Sequence, residues 1–273
     1  MIRRLTAVAA LMLASSAAFA GTAIDAANNQ ARASVSYQKF DYVELDAYKL
    51  TPDGILDSER GHQPGVTTSI VMQGDIAGVR KVFFSAEVSR LTGDTAYTGY
   101  LQGNGTLKPY STTTENTFTD YQVKLGKGFQ FGPLGQAQVT PYVAIGSYNW
   151  LRDSSKDEFG YAERYEHKFF AVGALAQYEI TPALVGSVDY QYGRTRSATM
   201  TLVDGGTEYA LGAKPIHTLN IGVDYAVTKK MHVHANYAYS KFSYGESAPI
   251  AGFLEPSSKT KRNLVQVGVG YAF

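Results

Sequence analysis

Ile216 to Phe242 reads IHTLNIGVDYAVTKKMHVHANYAYSKF. His217, Leu219, Ile221, Val223, Tyr225 and Val227 share one parity, and Thr218, Asn220, Gly222, Asp224 and Ala226 share the other. Thr228-Lys229-Lys230 is a polar break. Beyond it Met231, Val233, Ala235, Tyr237 and Tyr239 alternate with His232, His234, Asn236 and Ala238. Successive side chains of a strand point to opposite faces, so a period of two marks strands. Two such runs around a short break predict a hairpin with one apolar and one polar face. If the break is a three-residue turn, Val227 faces Met231, and Asp224 then lies opposite His234.

The same unit recurs upstream. KFFAVGALAQYEI starts at Lys168, breaks at Thr181-Pro182-Ala183 and resumes as LVGSVDYQYGR. TDYQVKLGKGFQF starts at Thr119, turns at Gly132-Pro133-Leu134-Gly135 and resumes as QVTPYVAIGSYNW. TTSIVMQGD starts at Thr67, turns at Ile76-Ala77-Gly78 and resumes as RKVFFSAEVSR. A first strand lies between Ala31 and Leu45. The last is NLVQVGVGYAF, in which Val265, Val267, Val269, Tyr271 and Phe273 alternate with small or polar residues. That makes about ten strands, each long enough for the roughly 9–11 residues of a tilted membrane-spanning strand.

The strands of a soluble sandwich also alternate, but they average about half this length. The connections alternate too. Four are tight, and five are long and polar: Lys49–Pro64, Leu91–Asn116, Arg152–Glu163, Ser197–Lys214 and Gly245–Lys259. In the second of these, Gly103-Asn104-Gly105 is expected to be the most flexible point. Short turns at one end, long loops at the other and aromatics near strand ends (Tyr190, Tyr192, Tyr237, Tyr239, Tyr271) are the pattern of an outer-membrane barrel. The predicted fold is all-β: an antiparallel, up-and-down transmembrane barrel of about ten strands, with eight or twelve as alternatives. In hydrocarbon the sheet must close, so the first strand pairs with the last and Phe273 sits near the periplasmic rim.

Composition agrees. Residues 1–20 read as a signal peptide, with Arg3 and Arg4, an apolar stretch from Leu5 to Leu13 and an Ala18-Phe19-Ala20 cleavage site. Residues 21–273 form one barrel domain, with Gly21–Gln30 a loose lead-in. The chain has no cysteine, which rules out a disulfide-stapled secreted domain. Without Arg3 and Arg4 the 25 basic residues fall to 23 against 24 acidic ones, a net charge of −1 with no surplus for nucleic acid. Twenty tyrosines and 27 glycines suit strands and membrane edges better than helices.

The leader, the alternating hairpins and the Tyr-x-Phe ending resemble bacterial outer-membrane barrels of the OmpA-type and opacity-type group. The resemblance covers the whole mature chain and is generic; most such barrels have eight strands. It implies location in the bacterial outer membrane, with lipid and lipopolysaccharide as partners. It also implies that Val267, Val269, Tyr271 and Phe273 form the signal read by the barrel assembly machinery.

A ten-stranded lumen lies near the size that side chains fill. Its predicted polar network includes Ser69, Gln73, Glu87, Lys124, Ser187, Asp189, Gln191, Asn220, Asp224, His232, His234 and Asn236. Two pairs are expected, Glu87 with Lys124 and Asp224 with His234. Such a network either satisfies buried groups or forms a pH-sensitive constriction. Asp224, His232 and His234 are metal-ligand types, but strand alternation alone produces their spacing, so no metal or cofactor is assigned.

Proteases of the omptin type resemble this chain in strand count; their chemistry uses paired Asp residues and an Asp–His pair at the outer rim. Neither Asp-x-Asp nor Asp-x-His occurs here, nor does Gly-x-Ser-x-Gly. Asp57, Glu59, His62, Asp153, Asp157, Glu158, Glu166 and His167 are loop groups with no assigned catalytic role. Tyr97, Tyr100, Leu101, Tyr110, Met200, Leu202, Tyr209, Ile250, Phe253 and Leu254 make the long loops partly apolar, as contact sites are. The expected function is non-enzymatic: a narrow passive pore for a small solute, or a surface-exposed structural or adhesion protein with a surface partner. The alternative is an outer-rim enzyme of the omptin or lipid-modifying kind.

Overall fold

The computed structural model describes residues 22–103 and 106–273. Residues 1–21, which include the expected signal peptide, and the tip at Asn104-Gly105 lie outside these residues. Ten long strands form the wall: β1 (Gln30–Leu45), β2 (Ile55–Ile76), β3 (Val79–Gly103), β4 (Thr106–Lys127), β6 (Ala137–Asp153), β7 (Ala162–Thr181), β8 (Leu184–Leu202), β10 (Pro215–Ala226), β11 (Met231–Tyr244) and β12 (Ser258–Ala272). Two short strands are added. β5 (Phe129–Phe131) continues β4 along β6, and β9 (Glu208–Ala210) folds onto β8.

All neighbours are antiparallel, and the sheet closes on itself. β1 pairs β12 from Gln30↔Ala272 to Glu44↔Ser258, so the first and last staves share one ladder. Phe273 reaches the same end, its N–H donating to the Asn29 carbonyl at 3.2 Å. At the β2–β3 turn Ala77 and Gly78 both have positive φ, 49° and 80°, as a two-residue hairpin turn of matching twist requires. The β10–β11 turn has the expected three residues, with the Val227 N–H donating to the Met231 carbonyl at 2.9 Å.

The outward face dates the bilayer level. On β7 the exposed residues are Phe170, Val172, Ala174, Ala176, Tyr178 and Ile180, followed upward by Lys168, Glu166 and Arg164. Ten steps of about 3.3 Å at a tilt of about 40° give an apolar band about 25 Å tall. The band on β6 runs from Ala137 to Ile145, and on β12 from Val265 to Tyr271. Water would leave these faces uncovered, so the cover is lipid.

Two expectations change. Two of the five long connections, the first and the second, are mostly strand. The β3–β4 hairpin stays paired up to Gly103↔Thr106, and Asp57 to Pro64 belong to β2. Above the bilayer both faces of a strand meet polar surroundings, so alternation fades although the backbone pairing continues. Gly21–Gln30 is also no loose lead-in. Residues Ala23–Ala27 form a helical turn, α1, capped reciprocally by Thr22 and Asp25. It sits inside the periplasmic mouth, where Ile24 and Ala27 pack on Val185 and Lys81 pairs with Asp25 at 2.5 Å.

Small residues on the inward parity make room for this filling. A Cβ on Gly270 would lie 2.1 Å from Gln30 Oε1, and one on Gly268 2.2 Å from the Ala33 carbonyl oxygen. The alternation of Gly with Val near the end of the chain therefore serves both faces, lipid outside and a crowded lumen inside.

Candidate functional site

The lumen is crossed by side chains at three levels. At the periplasmic end Asn28, Gln73, Gln138 and Gln177 bond to one another, Asn28 Nδ2 donating to Gln177 Oε1 at 2.8 Å. Beside them Asp224 accepts from Gln30 and Arg32 and contacts His232 Nδ1 at 2.6 Å. Asp224 does lie opposite His234 in register, but its hydrogen-bonding histidine is His232, the diagonal neighbour. His234 Nε2 instead meets Ser34 Oγ at 2.8 Å. No group of described residues is arranged to hold a metal ion.

At mid-height Lys124 Nζ reaches across the lumen to Asp189 Oδ2 at 2.5 Å, and the Tyr142 hydroxyl donates to the other oxygen of that carboxylate. The expected Glu87–Lys124 pair does not form. Glu87 faces Gln122 in the ladder while Lys124 faces Ser85, and the long lysine finds its partner on β8. Arg262 binds Asp120 at 2.6 Å, again from the opposite wall. A cavity of about 160 Å³ remains among these groups. Of the predicted network, Lys124 with Asp189 and Asp224 with His232 come together.

Above them an apolar layer crosses the lumen. Phe40 and Tyr42 come from β1, Phe118 from β4, Tyr148 and Trp150 from β6, Tyr165 from β7, and Phe242 and Tyr244 from β11. Ring centroids stand 4.9 Å apart for Phe40–Trp150, 4.8 Å for Phe40–Phe118 and 4.6 Å for Trp150–Tyr165. Since β1 and β6 are on opposite walls, the Phe40–Trp150 contact spans the lumen, while Trp150 and Tyr165 are cross-strand partners on adjacent staves. Trp150 is fully buried and donates from Nε1 to Asn116 Oδ1 at 2.5 Å.

On the outer side of this layer opens a vestibule of about 860 Å³. It gathers nine of the ten apolar loop residues that the sequence singled out: Tyr97, Tyr100, Leu101, Tyr110, Met200, Leu202, Tyr209, Phe253 and Leu254 line it, and Ile250 does not. Its floor is charged. Arg152 Nε binds Glu59 Oε1 at 2.5 Å, another guanidinium nitrogen binds Glu163, and Nη2 lies 3.5 Å from Asp57 Oδ2. Tyr42 donates to Glu44 at 2.9 Å and Tyr165 to Glu255 at 2.8 Å.

These groups stand well above the bilayer, Arg152 seven residues beyond Ile145 at the top of the band on β6. Burial pushes the Asp57 carboxyl up to about 6, against the pull of Arg152. Burial raises Glu44, Glu163 and Glu255 as well, with neighbouring carboxylates adding to the effect. Burial works against the Arg152 charge, but Glu163, Glu59 and Asp57 together hold its pKa above the ordinary value.

The other candidate groups scatter. His62 points outward and stacks on Tyr37 at 5.4 Å, Glu166 points outward and accepts from Asn149, and Asp157 accepts from Tyr110 and Thr112. His167 is buried below the vestibule, Nδ1 at 2.8 Å from the Tyr244 hydroxyl. Arg152, Glu44, Glu163 and Glu255 were not anticipated. Inward parity was the available signal: Arg152 continues Tyr148 and Trp150, and Glu163 precedes Tyr165 and His167 on the same face.

The fold has solved counterparts. The outer-membrane protease OmpT from Escherichia coli is similar at a TM-score of 0.51 and 11% identity, over 95% of this chain and 99% of that one. OprG from Pseudomonas aeruginosa aligns over 90% of this chain and 98% of its own at 13% identity and a TM-score of 0.36. Neisserial surface protein A aligns over 89% and 97% at 13% identity and a TM-score of 0.31. The chain matches no protein-family model and no curated protein.

Proposed function

From the bacterial outer-membrane barrel fold as premise, we propose that this chain is a sealed, non-enzymatic surface barrel. It works at its extracellular vestibule rather than by conduction. The aromatic layer is the observation that carries this reading: rings from opposite walls touch, and the apolar barrier they make is the kind that ions do not cross. The narrow-pore reading would need a continuous wet path. The polar crossings at mid-height and α1 at the mouth both oppose one.

The enzyme reading finds less support. None of the five histidines lines the vestibule, so an imidazole base on a rim carboxylate has no residue there. The vestibule carboxylates Asp57 and Glu163 are engaged by Arg152. A planar-bilayer recording of the refolded mature protein tests the proposal, with no ohmic steps above the bare membrane expected. Stable conductance steps would restore the pore reading.

The outward face just above the band is basic, with Lys39, Arg90, Lys168, Arg194, Arg196, Lys241 and Lys261. Lys241 and Lys261 are cross-strand partners on β11 and β12. We assign this belt to the phosphates of lipopolysaccharide, which attract such charges. Exchanging Lys241 and Lys261 for Ser should lower the lipopolysaccharide retained by the purified barrel. Unchanged retention would remove the assignment.

A further inference from the structure

The vestibule floor is short of positive charge. Glu44, Asp57, Glu59, Glu163 and Glu255 are all buried, and Arg152 is the single cation that pairs with any of them among the described residues. Farther out Lys108 and Asp204 line the cavity and match each other in number. Arg152 engages Glu59, Glu163 and one oxygen of Asp57. Glu44 and Glu255 receive tyrosine hydroxyls from Tyr42 and Tyr165. Asp57 Oδ1 receives no bond from a nitrogen or alcohol-type donor, although its residue is only 7% exposed and lines the cavity; its neighbour there is another acid, the Glu44 carboxyl. An unpaired carboxylate oxygen at that depth is costly and needs a donor.

The walls above this floor are aromatic. The ring centroids of Tyr97 and Tyr110 lie 6.3 Å apart, and Phe159 meets Tyr110 edge-on at 6.1 Å. Arg152 already uses one face of Tyr97, at 5.3 Å from the centroid. Ring faces over buried carboxylates suit a cation that carries its own apolar surface. No group of described residues is arranged to hold a metal ion, and the aromatic walls favour a cation with apolar surface of its own.

We propose that the vestibule binds a small organic monocation, an ammonium group on an aromatic or branched apolar body. The ammonium sits against Asp57, with Glu44 and Glu255 beside it, and the body lies among Tyr97, Tyr110 and Phe159. The assignment rests on the reading of the vestibule as the working surface of a sealed barrel. A cavity of about 860 Å³ falls within the usual range for small-molecule sites, which selects a compact ligand over a polypeptide. Without the cation, burial pushes the Asp57 carboxyl up to about 6 and shifts Glu44 and Glu255 upward too; an ammonium beside them would favour their charged forms instead.

Phenethylamine, 2-phenylethanol and 3-phenylpropionate serve as probes. Each is titrated calorimetrically into the refolded mature protein in detergent at near-neutral pH. The amine should bind about tenfold or more tightly than the alcohol, and the carboxylate should show no heat. In the shape-preserving double variant Asp57→Asn, Glu255→Gln the amine affinity should fall to that of the alcohol. Equal binding of amine and alcohol to the wild type overturns the cation assignment and leaves the vestibule reading standing. Silence from all three probes, or an amine preference that survives in the double variant, also overturns the assignment. Conduction in the bilayer recording tells against the underlying reading on its own.

Discussion

Arg152→Leu should destabilise the barrel by about 3–5 kcal/mol at neutral pH, the usual cost of removing one partner from a buried ion network. The substitution leaves Asp57, Glu59 and Glu163 facing one another with no cation, next to Glu44 and Glu255. The loss should shrink on acidification, and the sign follows from the raised carboxyls. In the folded chain Asp57 sits near 6, above its ordinary 3.8, so between those values the folded state holds protons that the unfolded state has released. Stability therefore rises as pH falls through that window and drops as pH rises through it. Glu44, Glu163 and Glu255 are shifted the same way and add to the effect. Urea unfolding in detergent at pH near 7 and near 5, followed by far-ultraviolet circular dichroism, measures both effects. A loss under about 1 kcal/mol at neutral pH would mean that the floor is wetter than its burial indicates.

The second large effect is at Trp150. Trp150→Ala should cost about 3–5 kcal/mol, as for other buried large aromatics. The ring contacts Phe40, Tyr42, Phe118 and Tyr165, and its Nε1 satisfies Asn116. The void left behind is lined by rings, and apolar voids of that kind take up small aromatic molecules. Added indole should therefore raise the melting temperature of the variant and leave the wild type unchanged. A small stability loss with no response to indole would mean that the layer is loosely packed, and the sealed-lumen account would weaken with it.

How much of this was legible in the sequence depended on which face a residue occupies. Wherever lipid covers the outside, the two faces of a strand have opposite chemistry. Leu219, Ile221 and Val223 against Asn220, Gly222 and Asp224 therefore fix strand, register and orientation at once. Above the bilayer that contrast disappears. The start of β4, Thr106 to Asn116, is polar on both faces and reads as loop, and only its threonines and tyrosine hint at a strand. The one turn of α1 is too short to show periodicity; its Thr22–Asp25 capping box was the only local sign.

The candidate site was harder to read, because its contacts cross the lumen. Parity shows that Lys124 and Asp189 both face inward. It does not show that β4 and β8 face each other at that height. The same limit hid the Arg152 cluster, assembled from β1, β2, β6, β7 and a connection at Glu255. Cross-strand neighbours were accessible in part: the Asp224↔His234 register was legible, yet a two-residue diagonal decided which histidine receives the bond.

The claim beneath all of this is that the outward stripe of each stave lies against acyl chains. Spin labels placed singly at 166, 170, 174, 176 and 180 on β7, in the refolded mature protein in liposomes, test it directly. The account predicts that labels at 174 and 176 are relaxed by oxygen and shielded from a water-soluble nickel complex, with the label at 166 showing the reverse. Nickel access at 174 and 176 equal to that at 166 would place this face in water and contradict the account.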